Sequence, residues 1–140
     1  MSDTKTRSTT ALLDLLGQLL EGERAGARGV TIMSRLAKDG RSRAALESIA
    51  RDEARFCAML SHHITRLGGE PSGATGAFYD KLLAIEDARQ RLDFLDRGQG
   101  WVVRTLREAL PGIDDAALHA DLTDMLETHE RNIARSHALR

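Results

Sequence analysis

Four polar residues interrupt otherwise apolar helical faces. Glu23, Glu53, Gln99 and His129 each lie near the middle of a segment whose apolar residues recur at alternating steps of three and four. Carboxylate, imidazole and amide oxygen donors suit Fe(II), Mn(II) or Zn(II). Two carboxylates buried side by side need a cation or a shared proton, because desolvation penalises both charges. These spacings predict a divalent metal site where the four segments meet.

Two other interpretations fit the same residues. Together with Asn132, the four polar residues could form a hydrogen-bonded cluster that shares protons and fixes the helix register. Alternatively, the glycines close to them, Gly22 and Gly26 on one side and Gly98 and Gly100 on the other, could open a pocket for a small molecule. Glycine within a helix costs about 1 kcal/mol relative to alanine, so close helix packing or access to a site is expected there.

The composition predicts that helices position these residues. The chain has 140 residues, 41% hydrophobic and 29% charged, with a net charge of -1, as expected for one globular domain. Leucine and alanine dominate and valine is rare, which favours helices over strands. Balanced charge argues against nucleic-acid binding, and the chain shows neither an apolar run of membrane-spanning length nor a secretory signal. We therefore expect a cytoplasmic protein.

Turn signals divide the chain into four long helices. The breaks are Asp39-Gly40, the glycine-rich stretch 68–73 and Pro111-Gly112. The predicted segments are a disordered tail at 1–9, helices at about 10–38, 42–67, 88–110 and 114–139, and a crossover at 68–87 with a short helix near 78–85. One unbroken helix over 77–110 is the alternative for the third segment. The expected N-terminal caps are Thr10, Ser42 and Asp114.

The connections predict the topology. Short links join the first helix to the second and the third to the fourth, so each pair is an antiparallel hairpin. The crossover at 68–87 is long enough to run the length of a bundle. The expected fold is an all-α four-helix bundle of two antiparallel hairpins joined by one long crossover, and we expect it to form a homodimer.

With this predicted topology the chain resembles the ferritin-like superfamily, which includes bacterioferritins and rubrerythrins. The resemblance depends on the four-helix pattern, the Leu-Gly-Gly-Glu-Pro run at 67–71, the long crossover and the carboxylates in mid-helix. The segments 96–101 and 127–133 are similar to a small bacterial group of unknown function within it. The superfamily implies a dinuclear site of six ligands, a Glu on helices 1 and 3 and a Glu-x-x-His on helices 2 and 4.

This chain departs from that ligand set on three helices. Glu23 and Glu53 match the first-helix ligand and the second-helix glutamate, but Phe56 stands where the resemblance implies a histidine. Gln99 takes the position of the third-helix glutamate. Two carboxylates suit one divalent ion rather than two.

The fourth helix allows two ligand pairs. His129 and Asn132 lie on the apolar face, whereas Glu127 and Glu130 are spaced as the superfamily motif implies but lie beside that face. We prefer the first pair, because the positions of the other ligands follow the apolar face.

Two more residues, Cys57 and His63, are candidates for the site. Cys57 lies one turn beyond the second-helix glutamate, and a lone buried cysteine is usually a small core residue. His63 is on the apolar face but about 15 Å along the helix from that glutamate, so a buried, hydrogen-bonded histidine is expected, with its neighbour His62 exposed.

The function predicted from the sequence is therefore that of a ferritin-like protein with a degenerate, mononuclear metal site and no assigned activity. The metal ligands would be Glu23, Glu53, Gln99 and His129, holding one ion of Fe, Mn or Zn, or no ion if the site is vestigial. The alternative is a non-catalytic helical dimerisation or interaction module whose central polar cluster is structural.

Overall fold

The structure, a computed structural model, describes residues 8–139 and contains four long helices and one short one. Their bounds are α1 Thr9–Leu36, α2 Gly40–Arg66, α3 Phe78–Leu83, α4 Ala88–Ala109 and α5 Ala116–His137, with a 3-10 turn at Leu110–Gly112. Predicted helices three and four correspond to α4 and α5. The preferred division into a short helix and a main helix is observed, and the alternative of one unbroken helix over 77–110 is wrong, because residues 84–87 separate α3 from α4.

The observed helix ends lie within two residues of the predicted ones. The caps are Ser8, Asp39 and Asp115 rather than Thr10, Ser42 and Asp114, and each accepts a hydrogen bond from the backbone N–H three residues on. Apolar periodicity places a helix but not its first residue, since several neighbouring side chains could cap it. Residues 1–7 of the predicted tail lie outside the described part of the chain.

The predicted topology is confirmed. Helices α1 and α2 form one antiparallel hairpin, α4 and α5 form the other, and α2 packs on α5 while α1 packs on α4. Helix α2 ends where Gly68 adopts a φ of +91° and the N–H of Gly69 donates to the carbonyl of Ile64. The crossover begins at this turn and returns along the α1–α4 side of the bundle.

Two glycines let the crossover lie close against the bundle. A β-carbon at Gly29 of α1 would overlap the side chain of Leu82, and one at Gly98 of α4 would come within 2.7 Å of the Phe78 ring. Both apolar side chains belong to α3. The crossover therefore covers the seam between α1 and α4, which make few other contacts with each other.

The core consists of two apolar clusters separated by a polar layer. The larger cluster includes Leu19, Phe56 and Leu122, and the smaller includes Val30, Ile49 and Leu95. Glu23, Glu53, Gln99 and His129 lie between them along their helices. Among the described helices, none is long and apolar enough to cross a membrane.

Candidate metal centre

The four residues predicted as ligands are all buried, one on each long helix. Glu23 of α1, Glu53 of α2 and Gln99 of α4 are each 2% exposed, and His129 of α5 is 1% exposed. Glu23, Glu53 and His129 each offer one ligand atom within 4.8 Å of the other two. We call these three residues the central cluster.

Histidine 129 is oriented by its own helix. Its Nδ1 lies 2.9 Å from the carbonyl oxygen of Met125, so Nδ1 carries the hydrogen and donates it. The other ring nitrogen, Nε2, lies 2.6 Å from Oε1 of Glu23, although the angles are not those of a hydrogen bond. When the imidazole is neutral, Nε2 carries the lone pair and faces the carboxylates, which is the orientation a metal ligand requires.

Glutamate 53 lies against a glycine that leaves it room. A β-carbon at Gly26 would overlap Oε2 of Glu53 and lie 2.9 Å from its carboxyl carbon. Oε2 is buried and has no hydrogen-bond partner within the described chain. Burial and the nearby Glu23 raise the pKa of the Glu53 carboxyl well above its usual value. This carboxylate therefore occupies a fitted position but lacks a compensating group.

The protonation of His129 partly compensates the two carboxylates. Burial favours the neutral ring, but the charge and contact of Glu23 outweigh it and, with Glu53, raise the pKa of His129 to about 9. Near neutral pH the protonated imidazole thus balances one carboxylate. A divalent cation would replace that proton and balance both carboxylates.

Glutamine 99 lies beside a cavity that adjoins the central cluster. The cavity has a volume of about 360 Å³, and its lining includes Glu23, Glu53, Gln99 and His129. Neither the amide nitrogen nor the amide oxygen of Gln99 has a hydrogen-bond partner in the described chain. Two unpaired polar atoms at a buried position are costly, so this amide favours a partner that residues 8–139 do not provide.

The alternative ligands on α5 point elsewhere. Glu127 and Glu130 are exposed, and Glu130 forms an ion pair with Arg107. Asn132 is buried, but its amide nitrogen donates to Asp52 and its amide oxygen accepts from Arg135. His129 thus lies in the buried layer and the glutamate pair does not, whereas the supporting contact expected from Asn132 at the centre does not form.

Phenylalanine 56 fills space next to the central cluster. It is 1% exposed, and its ring centroid lies 5.6 Å from that of His129. In the superfamily pattern this position would carry a ligand. Here an apolar ring packs on the imidazole, so the second helix contributes only Glu53.

The thiol of Cys57 lies outside the group of three potential metal ligands. Cys57 is partly buried and packs against the larger apolar cluster. Burial, with a contribution from the charge of Glu23, raises the pKa of the thiol to about 12. The thiol is therefore protonated at neutral pH and behaves as a small apolar group.

The second buried histidine belongs to a separate polar group at one end of the bundle. His63 Nε2 lies 2.7 Å from Asp121, its Nδ1 accepts from the guanidinium of Arg66, and Arg66 pairs with Asp115 at 2.9 Å. We call these four residues the end cluster. As expected, His62 is exposed while His63 is buried and hydrogen-bonded.

Sequence reasoning missed two residues that shape the centre. Gly26 was recognised as a small residue that permits packing, but its contact with Glu53 depends on the α1–α2 register. The carbonyl of Met125 lies one turn before His129, and that spacing of four residues could have indicated the contact.

Comparison with known proteins supports the fold. Residues 10–138 match the family described as a domain of unknown function (DUF6306). A search of curated proteins found no match. A crystal structure of ferritin-like, diiron-carboxylate proteins from Bacillus anthracis str. Ames is similar, with a TM-score of 0.83, 18% identity and 99% of each chain covered. The chain thus has the ferritin-like fold, and it belongs to the DUF6306 family.

Proposed function

We propose that this protein binds one divalent metal ion through Glu23, Glu53 and His129. The observation that carries the proposal is the arrangement of three buried potential ligand atoms, all within 4.8 Å of one another. Among the residues that the structure describes, no lysine or arginine lines the cavity beside them to neutralise the carboxylates. A bound cation would provide that charge.

The residues fit a metal in three respects. Gly26 leaves space for the Glu53 carboxylate, Oε2 of that carboxylate has no partner, and the contact with Met125 presents Nε2 of His129 toward the glutamates. Carboxylates with one imidazole suit Fe(II), Mn(II) or Zn(II). Gln99 remains a predicted fourth ligand.

One ion is more consistent with this donor set than two. The similar structure from Bacillus anthracis is described as a diiron-carboxylate protein, but an identity of 18% supports only the shared fold. In this chain Phe56 packs on His129, and Asn132 bonds to Asp52 and Arg135. The centre therefore offers two carboxylates, which balance one divalent charge.

When bound, the ion would supply Lewis acidity at a centre bordered by the cavity. The protein's own residues would hold the ion at a buried position, and the contact with the Met125 carbonyl fixes the imidazole tautomer. No particular reaction is proposed.

Glu53→Gln tests the proposal against a purely structural cluster. The substitution removes a charge with little change in volume, and Glu130→Gln makes the same change at the exposed neighbour of His129. Both proteins would be purified without metal-loaded resin and titrated with Zn(II), Mn(II) or anaerobic Fe(II). Metal content would be measured by plasma mass spectrometry, and the free energy of unfolding by urea denaturation of the metal-free proteins.

We expect the native chain and Glu130→Gln to bind one ion per chain and Glu53→Gln to bind none. Metal-free Glu53→Gln should be at least as stable as the native chain near neutral pH, because a neutral amide is cheaper to bury than a carboxylate with a raised pKa. A native protein that takes up no metal, combined with a Glu53→Gln variant of reduced stability, would favour the structural cluster. Two ions per chain would contradict the single-ion site.

The homodimer expected from the sequence remains a separate proposal. It would be tested by sedimentation equilibrium with and without metal.

A further inference from the structure

The cavity beside Gln99 opens between α1 and α4. Gly22 and Gly26 line it on α1 and Gly98 on α4, so the backbone of three glycines forms part of its wall. An apolar cavity of about 150 Å³ accommodates benzene. At about 360 Å³, this one has room for an aromatic ring and a polar head group.

The inner end of the cavity offers hydrogen bonds that the chain leaves unused. The Gln99 side chain is 2% exposed, and both its amide nitrogen and its amide oxygen lack partners in the described chain. A donor and an acceptor on one planar group match another carboxamide or a carboxylic acid, which presents the complementary pair. The rest of the lining is largely apolar and includes Phe78, Leu95 and Val102.

The charges of the lining select a neutral ligand. Glu21, Glu23 and Glu53 line the cavity, and His129 is the one lining residue that can carry a positive charge. An anionic carboxylate would be repelled by the glutamates. A simple ammonium would leave the amide nitrogen of Gln99 without an acceptor.

We propose that this cavity binds a small, mainly apolar molecule through a neutral carboxamide group, which pairs with Gln99. Trp101, which is 39% exposed, lies at the mouth of the cavity together with Gly22. The pairing applies to the metal-free chain, in which Gln99 is not engaged as a metal ligand, and it depends on an unpaired amide and an apolar volume rather than on a cation.

Benzamide is the probe, with toluene, benzoate and benzylamine as matched compounds that alter only the head group. Trp101 is the single tryptophan of the chain, so its fluorescence would report occupancy. The titrations would use the full chain with a chelator present, so that failure to bind metal does not affect them. Ligand-observed NMR would provide a second measurement of binding.

We expect benzamide to bind at least about tenfold more tightly than toluene, the difference expected for two net hydrogen bonds. Benzoate and benzylamine should bind more weakly than benzamide. Gln99→Leu should remove the preference for benzamide while toluene still binds.

Two substitutions on α1 locate the binding site. Gly22→Leu adds a side chain at the mouth of the cavity and should weaken binding at least tenfold, or about 1.4 kcal/mol. Gly17→Leu is the control, because a β-carbon at Gly17 meets nothing within 4 Å. Thermal melting followed by circular dichroism would check that both variants fold.

Four results would overturn the inference. They are equal binding of toluene and benzamide, tighter binding of benzoate or benzylamine, unchanged benzamide binding by a folded Gly22→Leu variant, and no binding of any probe by the native chain. None of these results would affect the metal proposal, which depends on metal uptake by the central cluster.

Discussion

The central cluster and the end cluster each contain a buried histidine facing a carboxylate, yet their surroundings differ. The side chain of His63 is 2% exposed, but its partner Asp121 is 49% exposed and reaches water. The side chain of His129 is also 2% exposed, and its partner Glu23 is only 1% exposed. Burial of the histidine alone therefore does not distinguish the two regions.

The two regions differ in whether their buried polar groups have hydrogen-bond and charge partners. Both ring nitrogens of His63 have side-chain partners, and Arg66 brings a permanent positive charge that pairs with Asp115. The central cluster holds two buried carboxylates, each with one oxygen that lacks a hydrogen-bond partner, and the adjoining lining includes no arginine or lysine among the described residues. The end cluster is complete as it stands and links α2 to α5, whereas the two carboxylates of the central cluster are offset only by the protonated His129.

The largest expected difference between the two histidines is in metal affinity. His129→Ala removes a proposed ligand and should weaken Zn(II) binding by at least about 100-fold, since the loss of even an outer-shell partner costs up to that amount. His63→Ala truncates a similarly buried histidine but should leave the affinity unchanged. Competition with a chromophoric chelator would measure both constants. Equal losses in the two variants would show that general destabilisation, not ligation, controls binding.

The second-largest expected effect is a loss of stability when the space around Glu53 is filled. In Gly26→Ala the new methyl group would overlap the carboxylate, so the metal-free protein should lose about 1–3 kcal/mol of unfolding free energy, as in other overpacked cores. Gly17→Ala on the same helix meets no atom and should gain up to about 1 kcal/mol from helix propensity. Urea denaturation would measure both. A stabilised Gly26→Ala variant with normal metal uptake would contradict the fitted position of Glu53.

The stability of the metal-free protein should depend on pH through the buried His129 and Glu53. His129 binds its proton more tightly in the folded chain, so its contribution is full below pH 6.5 and is lost as the pH rises through about 9. Glu53 also has a raised pKa, so its contribution is lost as the pH rises above its usual value of 4.5. Each group adds a slope of at most about 1.4 kcal/mol per pH unit. The free energy of unfolding of the metal-free protein should therefore fall with rising pH.

Denaturation of the metal-free protein at about pH 5, 7 and 9 would measure that slope. His129→Gln, which has no titrating group, should flatten the upper part of the curve. Stability that increases over this range, or a slope unchanged in His129→Gln, would contradict the assigned protonation. Added metal should stabilise the protein more at high pH, because protons compete with it for the same ligands.

The smallest effect is expected in the end cluster. Asp121 is half exposed, and exposed ion pairs contribute about 0–1 kcal/mol. Asp121→Asn should therefore lower the unfolding free energy by less than about 1 kcal/mol and leave metal uptake intact. Thermal melts at low and high salt would detect the change. A loss as large as that in Gly26→Ala would show that the two regions are not as different as their exposure indicates.

The sequence predicted the fold and the level of the polar layer because both follow from helical periodicity. The apolar face placed Glu53 and His129 at buried positions and separated His129 from the exposed Glu130. Periodicity indicates which side of a helix faces inward, but it does not indicate which partners the polar end of a side chain will contact. Asn132 was for this reason expected at the centre, although it bonds to Asp52 and Arg135.

The cavity and the fitted carboxylate could not be predicted in the same way. The overlap that Gly26 avoids depends on the register between α1 and α2, and the cavity depends on how the crossover lies over α1 and α4. Both are relations between distant segments, which spacing within one helix does not encode. The glycines indicated that space is needed, without showing what fills it.

The most direct test of the central claim is a crystal structure of the metal-loaded protein with anomalous scattering data collected at the absorption edge of the bound metal. We predict one anomalous peak per chain, in contact with Glu23, Glu53 and His129, and no peak at His63. Two peaks at the centre, a peak in the end cluster, or a fully loaded crystal with no peak among the three ligands would contradict it.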